Sequence, residues 1–525
     1  MIKKSMLCLC LSMCLLPGRT SWAEEKGTVP PKDHTVEFNS SIGFLNISLT
    51  DSIIIGLKNN LDIEISRLNP LIEDKDISVE KAAFDPIFWA KGGFRNPDDP
   101  INSAFITGVA PGELHRKIET LDVSLSMLTP IGATLNVDYG IEKSLRNTSR
   151  GVAFNPAVDT FVEVSFTQPL LKKFGIFYTR SKIYMARNDK KKSLYAFKRI
   201  AIDVVNATQR AYWDLVKAIE DLKVAHQSLF RAEEFLRSNE LKMQAGILAP
   251  IDLIVDNEEV AFREERIIIT ERDMKDKEDV LKHILNLLRP GGDPWLAEVS
   301  VLPVDKPVFD VRDVDLDDSI RIALENRPEI FEKKFELDNA AIEARRKKSE
   351  RLPQLDLEGG LRYSGLDKHM DRSQKSLLSG DFQEEFARLT VEIPIGLRKG
   401  RAEYARAKYE KRKAQLELSK QERNILLEVR EAVRHLRANR RLVRNTRKTL
   451  KYSRRRLVAE EKKYSVGRTT NIEVLRAQND LAFQETRAIR ALTEHHKSQG
   501  ELEAVKGTIL ERFNIFLEGQ APGLE

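Results

Sequence analysis

Two long stretches of the chain repeat apolar residues at alternating spacings of four and three. This spacing places apolar side chains along one stripe of a helix and is typical of coiled coils. Large residues alternate with small ones, which lets neighbouring helices approach closely. A helix over 181–245 would be roughly 100 Å long at about 1.5 Å per residue, so the pattern predicts rods and not a globular bundle. The first seam is Val204, Thr208, Ala211, Leu215, Ala218, Leu222, Ala225, Leu229, Ala232, Leu236, Asn239 and Met243. The second has Val429, Leu436, Val443, Leu450, Leu457 and Tyr464, with Ala432, Asn439, Thr446 and Ser453 as small partners.

Four shorter segments alternate between apolar and polar residues. They lie at 86–95, 162–167, 354–363 and 387–393. With their flanks these segments reach about 9 to 11 residues, the length that a tilted membrane strand needs. A half-buried sheet of a soluble domain alternates in the same way, so alternation alone leaves both interpretations open.

The chain contains an internal repeat. Residues 49–60 recur at 316–327, and 164–170 match 389–395. Glycines at 246 and 467 occupy matching places after the long helices. Each half therefore predicts the order helix, strand, strand, long helix, glycine turn, helix.

The repeat sets the expected domain boundaries. We expect a first structural repeat at 42–288 and a second at 316–510. The segment 289–315 is rich in proline and glycine and reads as a linker between them. The segments 24–41 and 511–525 are expected to be an N-terminal linker and a C-terminal tail.

The predicted sheet is too small to close alone. Even narrow packed barrels need roughly eight strands, and open sheet edges are not tolerated in lipid. Several chains must therefore share one barrel if the strands face a membrane. A further alternating hairpin, 121–127 and 133–141, has no counterpart in the second half. It could be extra barrel wall or an external flap.

The first 23 residues read as a secretory signal. Lys3 and Lys4 precede an apolar run at 6–16, and small residues before Glu24 suit cleavage. A lipid anchor at Cys14 is less favoured, because methionine before that cysteine is a poor match. Removing the signal takes the formal net charge from +6 to +3, which is nearly neutral.

Signal cleavage would also remove every thiol. All three cysteines, Cys8, Cys10 and Cys14, lie inside the signal, which excludes disulfide and cysteine chemistry in the exported chain. After the signal there is no run of 18 apolar residues, so a membrane role would need strands.

The signal, the duplicated order and the heptad seams together resemble the TolC family of outer-membrane channels. The string Y-S-V-G-R-T-T-N-I-E-V-L at 464–475 is similar to the family's helical turn at the periplasmic mouth. Pro169 and Pro394 look like the family's strand-to-helix junctions. The resemblance covers nearly the whole mature chain.

This resemblance implies a mainly α-helical protein with a membrane β-barrel. Long helical hairpins would form an α-barrel across the periplasm, and four strands per chain would give a homotrimer a 12-strand barrel. The protein would lie in the outer membrane of a Gram-negative bacterium, in contact with its lipid. It would be the passive exit duct of a tripartite efflux or type I secretion system. An inner-membrane transporter would drive export through a periplasmic adaptor protein.

The resemblance also implies site residues at the periplasmic tip. Glu473 matches the first of two acidic gate positions in some members, whereas Arg476 occupies the second, so cation selectivity does not follow. The periplasmic gate residues are Asp252, Tyr464, Glu473 and Arg476. The adaptor-contact residues are Gly246, Ile247, Leu248, Ala249, Val466, Gly467, Arg468, Thr469 and Thr470.

One feature exceeds the family pattern, a basic stripe at alternating spacings of four and three. It would be a solvated face or a partner for acidic neighbours such as Glu233 and Glu234; a lumen-facing stripe would instead favour anionic cargo. The basic stripe comprises Arg430, Arg434, Arg437, Arg441, Arg444, Lys448, Lys451 and Arg455.

Other classes of function fit less well. The sequence has no phosphate loop, dinucleotide glycine motif or metal-spaced histidine pair, so we expect no enzyme, cofactor or metal site. A signal peptide carries the chain away from nucleic acid. A secreted structural or adhesive coiled-coil envelope protein is the main alternative, although it would not need strands at matching places in both halves.

Overall fold

The structure, a computed structural model, describes residues 43–101, 105, 112–288, 299–309 and 313–516. The predicted signal at 1–23 and linker at 24–41 lie outside the described residues. The inter-repeat segment 289–315 and the tail 511–525 are described only in part.

The helices fall into two series that follow the repeat. The first half contains α1 (Leu49–Asn59), α2 (Leu61–Lys81), α3 (Ile176–Gln244) and α4 (Pro250–Ile284). The second contains α5 (Leu316–Asn326), α6 (Pro328–Glu350), α7 (Met370–Ser379), α8 (Arg398–Ser465), α9 (Asn471–Lys506) and α10 (Ile509–Arg512). The helices α3 and α8 have 69 and 68 residues, so each is roughly 100 Å long. Within the described ranges, no helix is long and apolar enough to cross a membrane.

Each half begins with a capped helix. The Ser48 hydroxyl accepts a hydrogen bond from the Asp51 backbone N–H at 3.1 Å, and the Asp51 carboxylate accepts one from the Ser48 backbone N–H. In the second half the Asp315 carboxylate accepts from the Asp318 backbone N–H at 3.0 Å. These caps satisfy N–H groups that the helix leaves unpaired, which explains why both helices begin at matching places.

The strands form one large antiparallel sheet and one small parallel pair. In chain order they are β1 (Phe44–Ile47), β2 (Ile87–Arg95), β3 (Asp98–Ile101), β4 (Gly112–Leu128), β5 (Thr134–Arg146), β6 (Ala157–Pro169), β7 (Ser300–Pro303), β8 (Gln354–Asp367) and β9 (Gln383–Glu392). β1 pairs with β7. The large sheet runs β2-β4-β5-β6-β8-β9, and β3 pairs with β4 beside this path.

The hairpin whose place the sequence left open is part of the sheet. β4 and β5 lie between β2 and β6, so six strands follow one path where the repeat predicts four. The difference arises because the hairpin is an insertion in the first half only. The external flap is therefore excluded for this segment.

The six strands share one apolar face and one polar face. A cross-strand row on one face consists of Phe88, Leu125, Val137, Val164 and Leu361, and it ends at Glu385 on β9. The adjacent row on the other face consists of Trp89, Ser124, Asp138, Glu163, Arg362 and Glu384. Because paired residues of antiparallel strands point to the same side, the inserted hairpin continues both faces of the wall.

The long helices pack side by side through the predicted seams. α3 packs against α4 on one side and α9 on the other, and α9 packs against α8. The seam residues Ala211, Leu215 and Ala218 are buried on α3, as are Val429, Leu436 and Val443 on α8. In the parts of α3 and α8 that lead to the glycine turns, the long helices therefore form a wall in the order α4-α3-α9-α8, whereas α2 and α6 pack against the other part of α3, and α5 and α6 against the other part of α8.

A glycine permits the closest approach between the two halves of this wall. A Cβ atom on Gly500 of α9 would lie 2.2 Å from the side-chain amide of Gln209 on α3. Gln209 is buried and donates to the His496 backbone oxygen at 3.2 Å. The small residue lets the two helices meet around this buried amide.

We predict that Gly500→Ala destabilises the helical wall by about 1–3 kcal/mol, because the added methyl group displaces Gln209 from its hydrogen bond. The measurement is the thermal unfolding midpoint of the purified protein in detergent. Gln209→Ala in the same background should recover much of the loss, since it removes the clash. An unchanged midpoint for Gly500→Ala would contradict the observed packing.

Candidate functional site

The two glycine turns have the same backbone geometry. Gly246 and Gly467 both have φ of +71°, a left-handed conformation that glycine adopts without strain. The Ile247 backbone N–H donates to the Lys242 oxygen at 2.9 Å, and the Arg468 N–H donates to the Lys463 oxygen at 2.9 Å. Both hairpins therefore end in the same six-residue closing bond, which satisfies the last carbonyl groups of α3 and α8.

The predicted adaptor-contact residues all lie at these two turns. Ile247 is 76% exposed and Val466 is 67% exposed, an unusual environment for branched apolar side chains. Gly246, Ala249, Gly467, Arg468 and Thr470 are also exposed, whereas Leu248 and Thr469 are half-buried. The turns thus present two similar surfaces, each with an apolar side chain beside a glycine.

A buried polar network lies just above the turns and includes the predicted gate residue Tyr464. Its hydroxyl donates to the Asn239 side-chain oxygen at 2.9 Å. Asn239 donates in turn to the buried Asp256 carboxylate at 2.7 Å. Asn471 donates to the same carboxylate at 3.3 Å and to the Asp252 backbone oxygen at 3.1 Å. The network connects α3, α4, α8 and α9 at one level.

The two other predicted gate residues form a local pair. Glu473 and Arg476 are linked by an ion pair of 2.6 Å within α9. Both lie in the first turns of this helix, and Arg476 is exposed. Within the described ranges, no hydrogen bond or ion pair joins Glu473 or Arg476 to the buried network. The structure thus brings Asp252 and Tyr464 into one network and pairs Glu473 with Arg476.

Sequence reasoning missed Asp256 and Asn471, and it placed Asn239 only in the seam. All three are buried and mutually hydrogen-bonded. Asn239 could have been identified from the sequence as part of a polar contact, because a polar residue at a buried seam position needs a hydrogen-bond partner. Asp256 lies seven residues before buried Arg263, so a heptad on α4 would have placed both on one face.

Burial changes the ionisation of this network. Burial raises the pKa of the Asp256 carboxyl, although the hydrogen bonds from Asn239 and Asn471 oppose the shift. The pKa of Tyr464 is also raised, first by burial and then by the nearby charges of Asp256 and Asp252. Lys242 lies over the Tyr464 ring at 3.9 Å, and its burial lowers the pKa of its ammonium group. The network therefore binds protons more readily at Asp256 than an exposed carboxyl would.

A second buried network, further from the turns, connects the α3–α4 hairpin to α9. The Arg263 guanidinium donates to the Ser228 backbone oxygen at 2.7 Å and to the Gln478 side chain at 3.1 Å. It also pairs with Glu259 at 2.9 Å. Within the part of the chain that the structure describes, no group of three or more His, Cys, Asp or Glu side chains could hold a metal ion.

Comparison with known proteins gives one family match. Residues 319–508 match the family model described as outer membrane efflux protein. No curated protein sequence matches the chain significantly.

Several solved structures have the same fold. The Campylobacter jejuni CmeC outer membrane channel is 16% identical, with a TM-score of 0.62 over 88% of this chain and 86% of that chain. The outer membrane protein VceC of Vibrio cholerae is 12% identical, with a TM-score of 0.61 over 87% and 96%. The open state of the Neisseria gonorrhoeae MtrE outer membrane channel is 14% identical, with a TM-score of 0.61 over 88% and 89%. The predicted fold class, long helices joined to a sheet, is confirmed by these structures.

We predict that the buried network is more stable in acid than at neutral pH. Because the pKa of Asp256 is raised in the folded state, the stabilisation is fully present below its ordinary value and is lost as the pH rises through the raised value. Hydrogen exchange of the amides at 460–475, corrected for intrinsic rates, should therefore be slower at pH 4 than at pH 7.

Asp256→Asn provides the control for this prediction. It keeps one acceptor but loses the other, so the network should lose about 1 kcal/mol and most of its pH dependence. The same pH dependence in Asp256→Asn as in the wild type would show that another group is responsible.

Proposed function

We propose that this chain, whose residues 319–508 match the outer membrane efflux protein family and whose fold is that of the TolC-like channels, is the outer-membrane subunit of an export duct. It lies in the outer membrane of a Gram-negative bacterium and extends into the periplasm. It acts as a passive conduit and not as an enzyme. An inner-membrane transporter supplies the energy.

The observation that carries this proposal is the sheet with one face that is mainly apolar from β2 to β8. Val137, Val164 and Phe88 are 43%, 49% and 67% exposed in the single chain. An apolar face of this extent is not stable in water and marks a surface that lipid or another protein covers. The opposite face carries ion pairs such as Arg362 with Glu163 at 3.4 Å, which suits the lining of a water-filled lumen.

We infer that three copies share one barrel. The edge strands β2 and β9 each lack a partner on one side of the described sheet. All neighbouring strands on the path are antiparallel and their number is even, so β9 of one copy would run antiparallel to β2 of the next. Three six-strand walls would give eighteen strands where the repeat alone implies twelve.

The turns at the other end of the long helices are the proposed docking surface for a periplasmic adaptor. The two turns share one geometry and expose Ile247 and Val466. Three copies would therefore present six similar surfaces around the mouth of the duct. The buried network around Asp256 would hold the hairpins of each subunit together at that mouth.

The alternative, a secreted structural or adhesive coiled-coil protein, is not favoured. A coiled coil in water would place polar residues on both exposed sides of an accompanying sheet. Here one side is mainly apolar along the path, with Glu385 on β9 as a charged member of that side.

We predict that the inserted hairpin contacts lipid through its apolar face. Val137→Lys should cost about 2–4 kcal/mol if the residue lies near the middle of the bilayer, and it should reduce the amount of assembled protein in the outer membrane. Asn136→Lys, on the next residue of the same strand, points to the polar face and should be tolerated. The measurement is the yield of heat-resistant oligomer in outer-membrane fractions, and equal yields for the two variants would contradict a lipid-facing hairpin.

We also predict that the turn at Gly467 contacts another periplasmic protein. A photo-crosslinking residue in place of Arg468 should capture an adaptor in living cells, because this position is exposed at the turn. The same substitution at Lys420, which is exposed on α8 at 48 residues before Arg468, is the matched control. Identical products from both positions would contradict docking at the turn.

A further inference from the structure

The basic stripe lies fully on the surface of α8. All eight residues are exposed, opposite the buried seam of Val429, Leu436 and Val443. Arg434 pairs weakly with Glu431 at 3.9 Å. Among the described residues, Arg444 and Lys451 have no ion pair or hydrogen bond, and neither Glu233 nor Glu234 pairs with the stripe. So many uncompensated cations on one helix face repel one another unless a partner covers them.

The stripe lies on an open edge of the helical wall. In the order α4-α3-α9-α8, the helices α3 and α9 have neighbours on both sides, whereas α4 and the part of α8 beyond its contacts with α5 and α6 at 403–436 are the outer members. A tube built from copies of this wall must bring α8 of one copy against α4 of the next. The surface of α4 that lies opposite its contact with α3 is therefore the surface that α8 would meet.

An acidic row on α4 matches the stripe. Glu264 and Glu271 are exposed, and neither makes an ion pair or a side-chain hydrogen bond with another described residue. They are spaced by seven residues, as Arg444 and Lys451 are on α8. The exposed basic residues of α4, Arg266, Arg272 and Lys275, occupy other positions of the seven-residue repeat.

The stripe and the acidic row lie on the same side of the wall. Arg437, seven residues before Arg444, donates to the Val314 backbone oxygen at 2.9 Å. Glu278, seven residues after Glu271, accepts from the Val301 backbone N–H at 2.8 Å. Val301 and Val314 both belong to the inter-repeat segment, so this segment marks one side of the wall for both helices.

The two sets of charges also lie at matching heights. Trp213, 33 residues before Gly246, stacks on His496, 29 residues after Gly467, with ring centroids 4.4 Å apart. Measured along the helix axes, the Gly467 turn therefore lies four residues closer to this stacked pair than the Gly246 turn does. With that displacement, Lys451 and Glu264 differ in height by two residues, about 3 Å, and Arg444 and Glu271 differ by the same amount. A rotation that relates identical subunits leaves heights unchanged, so the long basic side chains can span this difference.

We propose that the basic stripe of α8 is an intersubunit surface whose partner is the acidic row of α4 on the adjacent copy of the same chain. Arg444 pairs with Glu271 of the next subunit, and Lys451 pairs with its Glu264. The pairs seal the seam between subunits on the side of the wall that carries the inter-repeat segment, and they fix the order in which edges meet, since two α8 edges would repel. This proposal rests on the proposed oligomeric duct.

Charge reversal tests this pairing. Arg444→Glu with Lys451→Glu should shorten the half-life of the oligomer in SDS at low salt by about tenfold or more, because attraction becomes repulsion at every junction. Glu264→Lys with Glu271→Lys should have a similar effect. Combining all four substitutions should restore the half-life to within about threefold of the wild type, since the charges are exchanged but remain complementary.

Two further measurements make the test specific. Lys223→Glu with Arg237→Glu is the matched control, because both residues are exposed on α3, which has helices of its own chain on both sides. This control should leave the half-life unchanged. Raising the salt concentration should reduce the difference between the wild type and the two-site variants.

The outcomes separate the inference from the proposed function. A wild-type protein that is monomeric in mild detergent overturns both. An oligomeric wild type whose half-life is unaffected by the reversals overturns only the pairing. Failure of the four-site variant to recover, when both two-site variants are weakened, also overturns the pairing.

Discussion

The structure depends on what binds the unpaired backbone groups at the two edges of the large sheet. A strand at an edge has backbone N–H and C=O groups without partners, and in lipid no water can bind them. β2 and β9 are such edges at the two ends of a six-strand path. Because the apolar face of the path suits lipid, the edges must pair with something, and another copy of the chain offers strands of the correct direction. Closure by identical subunits, as proposed above, would pair both edges of the sheet.

The long helices also have surfaces that need a partner, but these surfaces meet water and not lipid. The wall α4-α3-α9-α8 buries its seams between its own helices but leaves α4, and the part of α8 beyond its contacts with α5 and α6, uncovered on one side. In the periplasm these surfaces meet water, so charge can bring them together where lipid would not allow it. A ring of identical subunits would pair the edge strands and cover the outer helices at the same time. At the tip, matching glycine turns end both hairpins, and the buried carboxylate of Asp256 links them.

Much of this could be predicted from the sequence, because it depends on local periodicity. The alternating seam of Leu215 and Ala218 predicted a long helix, which begins at Ile176, five residues earlier than expected. The glycines at 246 and 467 predicted turns, since a left-handed position favours that residue. The strands followed from alternation over segments such as 354–363.

The remainder depends on pairing between distant residues, which periodicity does not report. The hairpin of β4 and β5 has the same pattern whether it lies in the wall or outside it, and only its register with β2 and β6 places it. Asp256 and Asn471 are 215 residues apart, so their contact could not be predicted from spacing. The pairing of Glu473 with Arg476 was accessible, because residues three apart on a helix are neighbours.

The most direct test of the account is a cryo-electron microscopy map of the purified protein in lipid nanodiscs, at a resolution that separates strands. The account predicts a closed three-fold barrel of eighteen strands in which β9 of each subunit pairs with β2 of the next. A map with a single open six-strand sheet, or with the β4–β5 hairpin outside the barrel wall, would contradict it.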